Sequence, residues 1–413
     1  MLNPTDRTTL RDLAKQVAEI GAQPHQAERR QLWLDHNALR PGRPLVLCYP
    51  EGAWRELLPD ETLTVTDPDY RGWEWHLRHL VYRWEHLRDD GVIEPALEVG
   101  LPWGLTSWGL EPAHIKSPGE RGAWHYDPPI KDPADADRLV FPELVVDEAA
   151  QARRLAQAQE LLGDILTVRP KKVGGFEWGP LHLGIVSQFA ALRGLDQIML
   201  DMVDRPAWVH RVMGHLTTGR ERIFEELERR DLLALNNGAN GIASGGTGYT
   251  DELPAPGFDG RVRTRDMWAF AEAQELALVS PAMHGEFVLQ YQIRLLERFG
   301  LACYGCCEDL TRKYDLVFKC PRLRRISISP WADVDIAAER LGNRYVYSWK
   351  PKPSMMATAW DEPALRAYIR QTIAAAGRHG CVLEMVMKDT HTVNHEPWRL
   401  SEWVRIASEE VER

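Results

Sequence analysis

Apolar positions along the chain follow two rhythms. Leu10, Leu13, Val17 and Ile20 recur at helical spacing, so 5–40 reads as helical and charged. Pro41-Gly42-Arg43-Pro44 breaks that pattern, and the apolar run Leu45-Val46-Leu47-Cys48-Tyr49 is of strand type. Residues 69–89, with Trp73, Trp75 and Trp84, fit one amphipathic helix. Residues 93–145 are dotted with Pro and Trp and predict short extended pieces. From about 148 the two rhythms alternate. Helices are expected over 147–162, 196–216 with an interruption at Pro206, 219–230, 265–276, 283–299, 310–318, 334–341, 362–378 and 398–411. Strands are expected over 166–173, 232–235, 302–304, 325–329, 345–348 and 381–387.

Strand–helix alternation over about 260 residues implies a parallel sheet with helical crossovers. The units run past six, no Gly-x-Gly-x-x-Gly follows an early strand, and polar residues repeatedly follow the strands. Together these favour an α/β fold of the (β/α)8 TIM-barrel type over an open sheet, with the site at the carboxyl ends of the strands. Residues 1–140 are expected to form an N-terminal helical and irregular extension with the first barrel elements. Residues 141–413 would complete the barrel.

Composition narrows the function classes. Lys and Arg total 50 against 60 Asp and Glu, a net charge of −10, which argues against a nucleic-acid partner. No run of 18 apolar residues is present, and the first residues lack an apolar signal core, so a cytoplasmic protein is expected with no membrane span. Three of the six cysteines, Cys303, Cys306 and Cys307, lie within five residues, unlike a secreted disulfide framework.

That cluster, Cys303-Tyr304-Gly305-Cys306-Cys307-Glu308, sits where a short strand ends. Thiolates with a carboxylate are soft-metal donors, so Cys306, Cys307 and Glu308 are candidate zinc ligands, and Gly305 permits the necessary bend. Buried packing is the other reading, favoured for Cys303. His284 and Glu286 open a helix that leads into this strand; they are candidates for substrate binding and acid–base work, or simply for capping. Lys388, Asp389 and His391 follow the last strand and could bind an anion or polarise an oxygen, or serve turn chemistry. Glu384, inside that apolar strand, needs a buried partner. Trp54, Glu177 and Trp178 lie in turns after strands, where Trp could stack on an aromatic or methoxylated ligand. Ser244-Gly245-Gly246-Thr247-Gly248-Tyr249 lacks a P-loop ending and reads as a flexible loop.

Three segments carry a resemblance. Residues 279–291, with Ser280-Pro281 and Phe287, resemble a Ser-Pro-x-x-Tyr-x-x-Phe segment of the uroporphyrinogen decarboxylase superfamily. Asp201 to His210 resembles its Asp-x-Pro-x-x-x-His helix, and Gly175 to Leu183 its Gly-x-x-x-x-Pro-x-x-Leu turn. The likeness spans about 140–410 and implies a (β/α)8 barrel. The Arg-Gln-Ala-Gly-Arg carboxylate grip of the true decarboxylases is missing. The chain looks closer to the cobamide-dependent methyltransferases, whose zinc-binding His-x-Cys is matched here by Tyr304-Gly305-Cys306; the distal Cys of that set falls within 388–391, where none occurs. The resemblance implies methyl transfer between a small, methoxylated compound and a corrinoid on a partner protein, with zinc assistance and Tyr304 near substrate. Exposed Trp in 69–125 makes a homodimer an expectation. A lyase acting on a small carboxylated substrate, and a non-catalytic corrinoid- or tetrapyrrole-binding protein, are the rival readings.

Overall fold

The computed structural model describes residues 2–118, 122–174 and 181–413. Two helices open the chain, Pro4–Gly21 and Pro24–Asn37, each with Pro in its first turn. Asn3 caps the first by accepting from the Asp6 N–H at 2.8 Å. Among the described residues twelve strands follow: β1 Leu45–Cys48, β2 Ala96–Gly100, β3 Trp103–Leu105, β4 Ala113–Lys116, β5 Trp124–Asp127, β6 Leu144–Val146, β7 Thr167–Lys171, β8 Trp268–Ala271, β9 Leu301–Tyr304, β10 Leu323–Ile328, β11 Val346–Trp349 and β12 Val382–Met387.

Six strands form one parallel sheet in the order β1-β12-β11-β10-β9-β8. Its residues are buried almost throughout, as both faces of a parallel sheet require. The first strand pairs with the last, Leu45 opposite Glu384 and Cys48 opposite Met387, so the N-terminal region supplies an edge of the main sheet. Smaller pieces lie beyond it: parallel β2-β7, and single parallel bridges at Val173–Leu233 and His182–Phe270. The expected alternation is therefore met as a mixed α/β fold with a six-stranded parallel sheet and helical crossovers.

Several expected elements differ. The helix expected over 265–276 is instead a short 3-10 turn, strand β8 and a second 3-10 turn. Trp268-Ala269-Phe270-Ala271 is buried on both faces, which removes the alternation that marks a half-buried strand, and Ala favours helix. The 232–235 strand reduces to the bridge at Leu233. Pro206–Arg229 is one unbroken helix, and 310–318 holds only the short helix Tyr314–Val317. The helices Val334–Leu341, Glu362–Arg378 and Trp398–Val411 match expectation.

The stretch 244–249 is not a flexible loop. It is buried against the sheet's interior, and much of its backbone is hydrogen-bonded there. The Gly246 N–H donates to Glu384 Oε1 at 2.8 Å, and the Gly246 and Thr247 carbonyls accept from Arg325 at 3.2 Å each. Asn37 donates to the Thr247 and Tyr249 carbonyls. Glycine is required: a Cβ on Gly246 would lie 2.2 Å from the Trp33 ring, and one on Gly245 would lie 2.5 Å from Arg325 Cδ. Buried backbone needs such pairing, which is why this loop is ordered by its neighbours. Trp75, Trp103 and Trp124 are exposed. Among the described residues no helix is long and apolar enough to cross a membrane.

Candidate active site

The carboxyl ends of β1, β8, β9 and β12 open into one cavity of about 790 Å³. Tyr49, Glu51 and Trp54 enter from the segment after β1. Phe270 and Gln274 come from β8 and its following turn, Cys306 and Cys307 from the turn after β9, and Lys388 and Asp389 from the end of β12. His182, Lys171 and Arg83 complete much of the wall. This is where parallel α/β sheets place ligands, because loops of free sequence meet there on a rigid frame.

Four polar side chains form the centre. Lys388 Nζ lies 3.9 Å from both Cys306 Sγ and Cys307 Sγ and 2.5 Å from Asp389 Oδ2. The two sulfurs are 3.6 Å apart, and Cys307 Sγ is 3.6 Å from Asp389 Oδ2. The Asp389 N–H donates to Glu51 Oε2 at 3.0 Å, tying the end of β12 to the turn after β1. Asp389 itself has φ +56°, a left-handed conformation that non-glycine residues adopt rarely.

The charges follow from these distances. Burial pulls the Lys388 ammonium down, but the two sulfurs and Asp389 outweigh it and hold its pKa above the ordinary value. The hydrogen bond from Cys306, together with Lys388, draws the Cys307 thiol down against burial. The same bond, with burial, pushes the Cys306 thiol up. The pair therefore has one thiolate-forming member, Cys307, beside a fixed ammonium. Burial and the nearby Asp389 raise the Glu51 carboxyl.

Behind the cysteines, the turn is held rigidly. Gly305, at φ +90°, makes the bend after β9. Glu308 accepts the Cys306 N–H at 2.8 Å and the Ala273 N–H at 2.9 Å. Ser327 donates to the Cys306 carbonyl at 3.0 Å. Glu308 is 2% exposed and so fixes the loop from below instead of facing the cavity.

That arrangement does not fit the expected zinc site. Both carboxylate oxygens of Glu308 are taken by backbone N–H groups, and Lys388 stands at equal distance from the two sulfurs, where a bound cation would meet repulsion. Among the described residues no group of three His, Cys, Asp or Glu side chains is placed to hold a metal ion. Two thiols alone fall short of the three protein ligands a catalytic zinc needs.

The other expected site residues separate into three groups. Lys388, Asp389 and Trp54 line the cavity with Cys306 and Cys307. His284 and Tyr304 lie behind it in the core: His284 Nε2 and the Tyr304 hydroxyl are 2.9 Å apart, and Tyr304 donates to Gln292 Oε1 at 2.9 Å. Burial holds His284 down to about 3, a neutral imidazole. These two residues are therefore corrected from substrate contact to support. Glu286 is exposed beside His210, and His391 is exposed against Gly52, so neither reaches the cavity. A five-residue π-turn, Gly285–Leu289, interrupts the helix from Pro281 to Leu296; His284 faces inward and Glu286 outward. Glu177 and Trp178, and most of the 175–183 segment, lie outside the described residues.

Sequence reasoning missed His182 and its carboxylate cluster. His182 Nε2 is 3.0 Å from Glu272 Oε1, and Ser187 donates to Glu275 Oε1 at 2.6 Å. Burial drives the pair toward neutral forms: His182 is held down to about 4 by burial and then Arg220, while Glu272 is raised. Burial and Glu272 raise Glu275 to about 7. The sequence signal available was Glu272, an acid directly after an apolar run, which the helical reading of 265–276 hid.

No family model matches the chain, and no curated protein matches it. Its fold is similar to that of solved structures, among them a methyltransferase from Methanosarcina mazei, with a TM-score of 0.51 at 11% identity, covering 93% of this chain and 99% of that one. At that identity the likeness is one of fold, extending over nearly the full length of both chains.

Proposed function

We propose that the chain is a methyltransferase that moves a methyl group between a small methoxylated compound and a corrinoid carried by a partner protein. One observation carries the reading: Lys388, buried and paired with Asp389 at 2.5 Å, lines a cavity walled by Trp54, Tyr49 and Phe270, of a size for a small aromatic molecule. A corrinoid brought by that partner would supply the centre that takes or gives the methyl group. The residues of this chain do the rest. Aromatic walls orient the ring and exclude water. As a methyl group leaves an ether oxygen, negative charge gathers on that oxygen, and Lys388 stabilises it. An ammonium held above its usual pKa keeps its proton, so Lys388 acts as a fixed positive charge. Cys307 and Asp389 keep it in place.

A closed (β/α)8 barrel belongs to the same reading. Strands β9 and β12 are three spacings apart, about 14 Å in a flat sheet, while Cys307 after β9 is within 3.6 Å of Asp389 after β12. Residues after both sheet edges, β1 and β8, also face one cavity. Strong curling supports closure, with the bridges at Val173–Leu233 and His182–Phe270 as the remaining staves. The full-length likeness to a methyltransferase fold agrees with this reading.

The test is to incubate the protein with a methoxybenzoate and chemically reduced cobalamin, following the methylcobalamin absorbance. Methyl transfer with release of the free phenol is expected. Release of carbon dioxide from the carboxylate instead would support the lyase reading, which the cations Lys171 and Arg83 in the wall favour.

A further inference from the structure

The adjacent cysteines carry a second chemistry. Their sulfurs are 3.6 Å apart, both line the cavity, and Lys388 lies 3.9 Å from each. The backbone around them is pinned by Glu308, Ser327 and the Gly305 bend, so the thiols face each other without help from a ligand. We propose that Cys306 and Cys307 are a redox-active dithiol that reacts with small disulfides entering the cavity and closes reversibly into a disulfide between neighbouring residues.

The roles are unequal. Cys307 is the more exposed thiol, within reach of the Lys388 ammonium, so it attacks first. Its thiolate bonds to one sulfur of the small disulfide, the S–S bond breaks, and one thiolate leaves. Cys306 then attacks Cys307 Sγ, passing its proton to the departed thiolate, and the second half of the disulfide leaves as a thiol after taking up the proton that Cys307 had released. The chain loses two protons and two electrons, and the small disulfide is reduced to two thiols. Lys388 stabilises the attacking thiolate throughout.

The closed form is easily reopened. Consecutive Cα atoms are about 3.8 Å apart, below the usual range of about 4.4–6.8 Å for disulfide-linked residues. The ring is therefore compressed, and a compressed disulfide is a labile one. The other four thiols are poor competitors: Cys48, Cys303 and Cys320 are buried, and Cys381 donates to the Ala338 carbonyl at 3.4 Å. Burial pushes Cys303 up to about 11 and Cys320 up to about 12.

The experiment treats the full chain with hydroxyethyl disulfide and reads intact mass, peptide mass and thiol count, none of which depends on methyl transfer. The thiol count should fall from the six of the sequence by two, to four. The peptide holding both cysteines should lose two hydrogen atoms, and dithiothreitol should restore it. Cys306→Ser should stop at a stable mixed disulfide on Cys307, and Cys307→Ser should stay unmodified at this peptide. Retention of all six thiols, or a lasting adduct on the unsubstituted protein, would overturn the proposal; both are read without relying on the folding of a variant.

Discussion

Lys388 takes its properties from neighbours that approach it from different strands. Removing its charge while keeping its length, Lys388→Met, tests two consequences. Alkylation of Cys307 by iodoacetamide should rise with pH around a midpoint below the ordinary thiol value of 9.0, because Lys388 and Cys306 favour the thiolate. In Lys388→Met that midpoint should move upward; peptide-resolved alkylation rates check this, and an unchanged midpoint would remove Lys388 from the account. Much of this centre was legible beforehand. Cys306, Cys307, Lys388 and Asp389 are unusual side chains directly after apolar runs, and strand ends are where a parallel sheet exposes them. The role of Glu308 was not legible, since only the fold shows that two backbone N–H groups point at its carboxylate. For His284 and Tyr304 a π-turn and a buried hydrogen bond decide the outcome, and neither has a clear sequence signature.

The elements beneath the cavity carry a buried charge network. Glu384 on β12 pairs with Arg325 on β10 at 3.1 Å and with His36 at 3.1 Å, and Ser348 on β11 also donates to it. That a Glu within an apolar strand needs a partner could be read from the sequence; which partners it finds could not, because His36 is 348 residues away. Lys350, just past the end of β11, donates to Ser348 Oγ at 2.6 Å, and burial holds it down to about 7 from 10.5. Between those two values the unfolded chain binds more protons at this site than the folded one. Stability should therefore rise with pH across that window, by at most about 1.4 kcal/mol per pH unit from this group. Urea titrations at several pH values should show that rise reduced in Lys350→Met. The Gly-rich stretch 244–249, a plug against the sheet's interior, makes its own prediction. Gly246→Ala would drive a methyl group into Trp33 and Glu384, and overpacking of this kind costs about 1–3 kcal/mol. An unchanged urea midpoint would show that the plug is looser than its contacts imply.

Across the whole molecule, the chain's two ends hold one sheet. Helix Pro24–Asn37 contributes Trp33, His36 and Asn37 to the interior, and β1 seals against β12. Deleting residues 1–40 would remove Trp33 from the interior and strip Glu384 of His36 and Arg325 of Asn37, a loss on the scale of about 3–5 kcal/mol for breaking a buried pair. The shortened chain should lose its near-ultraviolet dichroism and its cooperative urea transition. Alternation of strand and helix made the parallel sheet readable at this scale. The strand β8 escaped because it is short, Ala-containing and buried on both faces, and the plug escaped because Gly and Ser look alike in a mobile loop and in a tightly packed one.

The most direct measurement is methyl transfer from a methoxybenzoate to reduced cobalamin by the unsubstituted protein and by Lys388→Met, at matched folding by circular dichroism. Removing a preorganised charge from a developing oxyanion costs about 10²–10³ in rate, so the variant should lose at least that order of kcat while KM changes little. Equal rates in the two proteins, or no transfer by either with any methoxylated compound offered, would contradict the assignment of Lys388 as the charge that stabilises the departing oxygen.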